Sequence, residues 1–180
     1  MRTYYLDNLP GNERLAHDSG KPSSEQILKN LNVLYWNIPI DPAGAWQAGI
    51  DEIATARAYK NRDILDLTAE TLGEEKLKMF FDEHLHEDEE IRFILDGSGF
   101  FDIRDHPGDA WIRVHLLKGD LIVLPAGVYH RFTLDESGAV KAMRLFKEEP
   151  KWKAYSRSEE TDTNPHRVNY LRSLHGVSVA

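Results

Sequence analysis

The sequence predicts a mainly β protein, an antiparallel barrel or sandwich with helices packed outside it, mostly from the N-terminal part. Three observations carry that prediction. Six short runs rich in β-branched and aromatic residues (91–95, 100–104, 111–117, 121–124, 129–134 and 139–146) follow one another at spacings of about ten residues. Turn-forming clusters separate them: Asp96-Gly97-Ser98-Gly99, Pro107-Gly108-Asp109, Gly119-Asp120, Pro125-Ala126-Gly127 and Glu136-Ser137-Gly138. Before residue 82 the apolar positions recur instead at helical spacing, and 180 residues is a comfortable length for one domain.

The elements are expected in the following order. Ser23 is the expected N-cap of a first helix, with Gln26 three residues on in a capping-box pattern ahead of Ile27, Leu28 and Leu31. Residues 33–36 form a short β-prone run closed by Pro39 and Pro42. A second helix is expected over 45–58, where Trp46, Ile50, Ile53, Ala54 and Arg57 recur at helical spacing. A third is expected to begin near Asp63 and to carry Ile64 and Leu67. A fourth, over 74–82, places Leu77, Phe80 and Phe81 at i, i+3 and i+4. Gly97 and Gly99 are read as a tight hairpin turn, not a phosphate loop, because a third glycine and a following helix are missing. Past residue 146 the chain is polar, with one short helix expected near 166–174. The expectation is therefore a single domain over 1–180: a mostly helical part (1–82), a barrel core (83–146) and a C-terminal extension (147–180).

Composition narrows the chemistry. There are no cysteines, which excludes disulfides, thiolate zinc sites, iron–sulfur clusters and thiol nucleophiles. The net charge is −8 and no basic stripe is present, so no nucleic-acid partner is expected. No run approaches the roughly 18 apolar residues of a membrane span, and the first residues lack the apolar stretch of a signal peptide. A soluble, cytoplasmic protein is expected.

Eight histidines remain, and three of them fall in a pattern. His84 and His86 are at i and i+2; on a strand both point to one side, roughly 6.6 Å apart along the chain, so both imidazoles can meet one ion. Alternation along the next run places Glu90, Arg92 and Ile94 on one face and Ile91, Phe93 and Leu95 on the other. A third imidazole from His130 completes a set of three nitrogens and one oxygen, which suits Fe(II), Ni(II), Mn(II) or Co(II) better than structural zinc. His17, His106, His115, His166 and His175 match no ligand spacing.

His84-x-His86-x3-Glu90-x6-Gly97, followed by Gly119-x5-Pro125-x-Gly127-x2-His130, resembles the paired motifs of the cupin superfamily. Lys78 and Leu134 depart from the glycine and asparagine usual at the ends of the two blocks, but neither is a ligand position. The stretches KMFFDEHLHEDEEIRFILDGSGFFDIRD (78–105) and GDLIVLPAGVYHRFTLDESGAVKAMRLF (119–146) resemble acireductone dioxygenases of the methionine salvage pathway. The opening YYLDNLPGNERLAHDSGKP and LNVLYW at 31–36 fit the same family.

That resemblance implies a cupin-type jelly-roll barrel holding one Fe(II) or Ni(II) per chain on His84, His86, Glu90 and His130. It points to Phe80, Arg92, Phe132, Arg144 and Trp152 around the substrate, with Arg92 the strongest candidate for a catalytic role. The implied substrates are 1,2-dihydroxy-3-keto-5-methylthiopentene and O2. The iron form yields formate and 4-methylthio-2-oxobutanoate; the nickel form yields methylthiopropionate, formate and carbon monoxide. A monomer is the default expectation, in the cytoplasm and with the nucleus as a second compartment. Arg144 shares an apolar face with Ala142 and Phe146, where a guanidinium requires an anionic partner.

Overall fold

The computed structural model describes residues 1–148 and 153–175. Two antiparallel sheets share one long strand. β6 (Glu90–Arg104) begins in the second sheet, where it pairs with β8 (Asp120–Leu124) and β10 (Ala139–Phe146). From Ser98 onward it lies in the first sheet, between β7 (Trp111–Leu117) and β9 (His130–Leu134). The first sheet continues through β1 (Arg2–Leu6) to β2 (Asp18–Pro22) on one side, and through β5 (His84–Leu85) to β11 (Tyr155–Ser156) on the other. The second is edged by β3 (Leu34–Asn37), on β8, and β4 (Asn61–Thr68), on β10. This is the jelly-roll arrangement the sequence predicts, although the hydrogen-bonded ladder does not close into a ring among the described residues.

Alternation along the strands sorts the apolar side chains into two cores. Ile94, Phe101, Ile103, Ile112, Val114, Ile122, Leu124, Leu134 and Ala142 fill the space between the sheets, sealed by Leu28 and Leu31 of the α1 region (α1, Glu25–Asn30) and by Tyr170 of α5 (Pro165–Leu174). Ile91, Phe93, Leu121, Val123, Met143 and Leu145 point the other way, under Ile50 and Ala54 of α2 (Trp46–Ala56). The expected facing of Glu90, Arg92 and Ile94 against Ile91 and Phe93 is what the structure has. The sheets also bury charge. Asp102 and Arg113 are 1% and 0% exposed, joined by Nε–Oδ1 and Nη2–Oδ2 bonds of 2.6 and 2.9 Å; Arg131 adds a third guanidinium bond of 2.9 Å. Arg113 Nη1 also donates to the carbonyls of Glu13 and Leu15, pinning the β1–β2 connection to the sheet.

Several expectations need correction. The third helix does not exist: 61–68 is β4, paired along its whole length from Asn61↔Phe146 to Thr68↔Ala139. Ile64 and Leu67 sit three apart, as on a helix, but β10 supplies eight cross-strand partners that outweigh this local pattern. Residues 1–82 are consequently not mostly helical; they carry β1–β4 beside α1, α2 and α3 (Ala69–Phe81). Nor do Gly97 and Gly99 form a hairpin turn. β6 continues through them: its register shifts at Leu95, and just past that bulge Gly97 (φ 69°) lies where the strand crosses from the second sheet to the first. Ser24, not Ser23, caps α1, accepting from the Ile27 N–H at 3.3 Å. α3 starts at a capping box of Thr68 and Thr71, earlier than predicted, and is broken at Gly73 (φ 70°).

Candidate metal centre

Three elements from both sheets bring four donors together. Pairing of β5 with β9 puts His84 directly opposite His130, and His86 follows at the end of β5. Leu85 between them is fully buried on the other side. Glu90 opens β6 on the facing sheet, so its carboxylate meets the imidazoles across the interior. One ligand atom from each of His84, His86, Glu90 and His130 lies within 4.8 Å of every other. Glu90 Oε2 is 3.1 Å from both His86 Nε2 and His130 Nε2, and the His84 ring centroid is 4.6 Å from that of His130 and 5.0 Å from that of His86.

The outer nitrogens determine what this cluster can hold. His84 Nδ1 lies 2.7 Å from the Asp82 carbonyl, His86 Nδ1 2.9 Å from that of Lys153, and His130 Nδ1 3.1 Å from that of Val128. A carbonyl can only accept, so each Nδ1 must carry the proton and donate it. In the neutral ring, Nε2 is then a lone pair aimed inward. Three such lone pairs and a carboxylate oxygen repel one another unless positive charge, a proton on one Nε2 or a metal ion shared by all four, sits among them. The residues therefore fit a divalent ion, with the backbone carbonyls orienting each ring.

Electrostatics agree. Burial pushes the Glu90 carboxyl upward, but Arg92, then His130 and His86, hold it well below the usual carboxylate range. Burial lowers the His84 imidazole to about 4, helped by the neighbouring His130, which keeps it in the ligating form. His86 goes the other way: burial opposes its protonation, and the Glu90 carboxylate overrides burial and raises it. The centre of the cluster thus attracts positive charge.

The other predicted residues divide. Arg92 stands beside the centre, its Nη2 3.0 Å from Glu90 Oε1 and its Nη1 donating to the Ile91 carbonyl at 2.9 Å. Phe132 follows His130 on the same face of β9; its ring is 5.1 Å from Phe101 and edge-on to Phe80 at 6.4 Å. Phe80 is therefore brought to the site from α3 and is half-buried. The anionic partner expected for Arg144 is Asp63, gripped through Nε and Nη2 at 2.8 and 2.5 Å. Trp152 lies outside the described residues.

A family model for the ARD/ARD' family matches residues 2–154. The chain belongs to that family. Among its relatives, acireductone dioxygenase 1 of Coprinopsis cinerea is 56% identical over 177 residues, covering 97% of this chain and 98% of that one. Acireductone dioxygenase of Phaeosphaeria nodorum is 53% identical over 181 residues, 99% of each chain. Of solved structures, the Bacillus anthracis acireductone dioxygenase with a cadmium ion in its active centre superposes with a TM-score of 0.67 at 25% identity, covering 86% of this chain and 97% of that one.

In this ARD-family chain the ligand loops are braced by Gly127 of the second motif and by Asn164 and Arg167, for which the sequence offered no signal. The Gly127 N–H donates to the His86 carbonyl at 2.9 Å, Arg167 donates to the Gly127 carbonyl at 3.2 Å, and Asn164 donates to Glu87 at 3.0 Å, so the start of α5 holds the metal-side loop. Gly127 has φ 82°, and a Cβ there would lie 2.3 Å from the His166 carbonyl oxygen. Gly127→Ala should cost about 3 kcal/mol and lower Tm by roughly 6–12 °C, measured by thermal unfolding. Gly99 has a different purpose from the turn expected of it: a Cβ would stand 2.8 Å from the Phe132 ring, so glycine makes room for an aromatic wall of the site. The Lys153 carbonyl had no sequence signal, being backbone. Asp63 had none either, because Ile64 and Leu67 beside it repeat at helical spacing and only the pairing with β10 makes the segment a strand.

Proposed function

We infer that this protein is a metal-dependent dioxygenase that cleaves the acireductone 1,2-dihydroxy-3-keto-5-methylthiopentene with O2, as a step of methionine salvage. The carrying observation is the set of three inward Nε2 atoms and one Glu90 oxygen, with the Arg92 guanidinium beside it. Membership of the ARD/ARD' family and relatives named acireductone dioxygenase at about half identity support the same reading. Fe(II) or Ni(II), one per chain, is the proposed metal, held by His84, His86, Glu90 and His130; nitrogen-rich donors favour either. When bound, the ion supplies Lewis acidity that favours the ionised enediol and fixes its orientation.

The protein's own groups do the rest. Arg92, fixed by Glu90 and the Ile91 carbonyl, faces the anionic substrate with an oriented positive charge and needs no reorganisation on binding. Arg144 adds a second positive charge on the same wall. Phe80 and Phe132 form an apolar edge suited to the methylthio tail, to which Trp152 is assigned as well. Both atoms of O2 end in products: formate and 4-methylthio-2-oxobutanoate with iron, or methylthiopropionate, formate and carbon monoxide with nickel. A monomer is proposed, acting in the cytoplasm and also in the nucleus. Among the described residues no helix is long and apolar enough to cross a membrane. Oxygen uptake with synthetic acireductone tests the reading directly. Iron-loaded protein should consume O2 and metal-free protein should not; no uptake by the iron-loaded form overturns it. Product identification after iron or nickel loading tests the two product sets.

A further inference from the structure

Across the second sheet runs a row of charges that the ligand set does not explain. β4, β10 and β6 lie side by side, with Asp63 opposite Arg144 and Arg144 opposite Arg92. Arg92 in turn reaches Glu90, two residues back on its own strand and face, at 3.0 Å. The order is thus carboxylate, guanidinium, guanidinium, carboxylate. All four are on the inner face, in the alternation set of Leu67, Ala142 and Ile94, which pack in the core between the sheets.

Two like charges directly opposite each other on neighbouring strands are unfavourable. The cost is kept because each guanidinium is anchored at the outer end of the row. Glu90 and the Ile91 carbonyl hold Arg92, and Asp63 holds Arg144 by a two-pronged fork at 2.8 and 2.5 Å. A fork fixes the plane as well as the position of a guanidinium, which a single contact does not. Arg144 is 13% exposed while Asp63 is 43% exposed, so the carboxylate stands at the solvent side and the guanidinium is directed inward.

We propose that Asp63 is a positioning residue for substrate binding: by gripping Arg144 edge-on it holds the second guanidinium alongside Arg92, so that the pair forms a preset clamp for the anionic enediol. The inference rests on the reading of this site as one for an ionised acireductone, and adds to it a role for a residue of an edge strand. Without the Asp63 carboxylate, the remaining acid in the row is Glu90. The fork that fixes the plane of Arg144 would be lost, and with it the set spacing of the clamp.

The test uses the metal-loaded full chain and the variants Asp63→Asn, Asp63→Glu, Arg144→Met and the double Asp63→Asn/Arg144→Met. Asp63 is half exposed on an edge strand and asparagine matches its shape, so the variant should stay folded with a Tm only about 2–4 °C lower and a wild-type metal content. Asp63→Asn should raise KM by about tenfold, in the range lost when an orienting partner is removed, with kcat changed much less. Equilibrium dialysis of acireductone without O2 should show the same loss of affinity, independently of turnover. Asp63→Glu should restore most of it. The double variant should be no worse than Arg144→Met alone, because the positioning role of Asp63 is exercised through that side chain. If Arg144→Met weakens binding while Asp63→Asn stays within twofold of wild type, the role of Asp63 is overturned and the substrate reading stands. Additive losses in the double variant overturn it equally. If Arg144→Met leaves affinity unchanged, Arg144 does not meet substrate, and both the clamp and its positioning residue are wrong.

Discussion

His84→Ala is expected to yield a folded protein that no longer retains a metal ion and takes up oxygen at least about a thousandfold more slowly, since a bound ion contributes several kcal/mol to such chemistry. The separation of function from fold has a structural reason. The side chain of His84 faces the other three donors of the cluster and the carbonyl of Asp82, two residues away. The core between the sheets is built without it, from aliphatic and aromatic groups on β6 to β10. Circular dichroism should therefore remain that of the parent. Elemental analysis decides the matter: a variant that still carries one metal per chain would show that the remaining three donors suffice. Glu90→Gln should be worse for the fold than His84→Ala, because it also strips Arg92 of its buried carboxylate.

Asp102→Ala should be the most destabilising single change in the first sheet, at about 3–5 kcal/mol. On a chain of this size that is a fall in Tm of roughly 6–20 °C. Removing the carboxylate leaves Arg113, 0% exposed, with no ion pair among the described residues, and leaves Arg131 without its 2.9 Å bond. Arg113 would keep the carbonyls of Glu13, Leu15 and Ala16, which cannot neutralise it. Arg131→Met should cost much less. Its guanidinium is 17% exposed and lies over the Phe81 and Trp111 rings, and the Asp102–Arg113 pair survives its loss. Thermal and urea unfolding of the two variants checks the order. Equal losses would mean that the cluster acts through packing and not through charge balance.

The parts of the fold that could be read from the sequence are those with a strong local period. The bounds of Trp111–Leu117 and Ala139–Phe146 are legible to the residue, and those of β8 and β9 to within one, because apolar alternation and turn-forming residues bound them. The short strands β1, β2, β5 and β11 have no such period and exist only because a neighbour offers hydrogen bonds. The region around Asp63 shows the same effect more strongly. A segment with helical spacing became a strand once β10 lay beside it.

Of the site, the sequence alone determined the donors: the identity of three imidazoles and one carboxylate, the shared face of His84 and His86, and the placement of Arg92 on the face of Glu90. The shared faces follow from a two-residue period, which any extended chain obeys whatever it packs against, while the motif resemblance is what singles out Glu90 and His130 as donors. Only the tertiary structure decided that Glu90 reaches the histidines from the opposite sheet, that three backbone carbonyls set the ring tautomers, and that Arg144 is held by Asp63. Those relations join residues tens of positions apart. They depend on strand register and on the crossing of β6 between the sheets at Gly97, and neither is written in any local stretch of the chain.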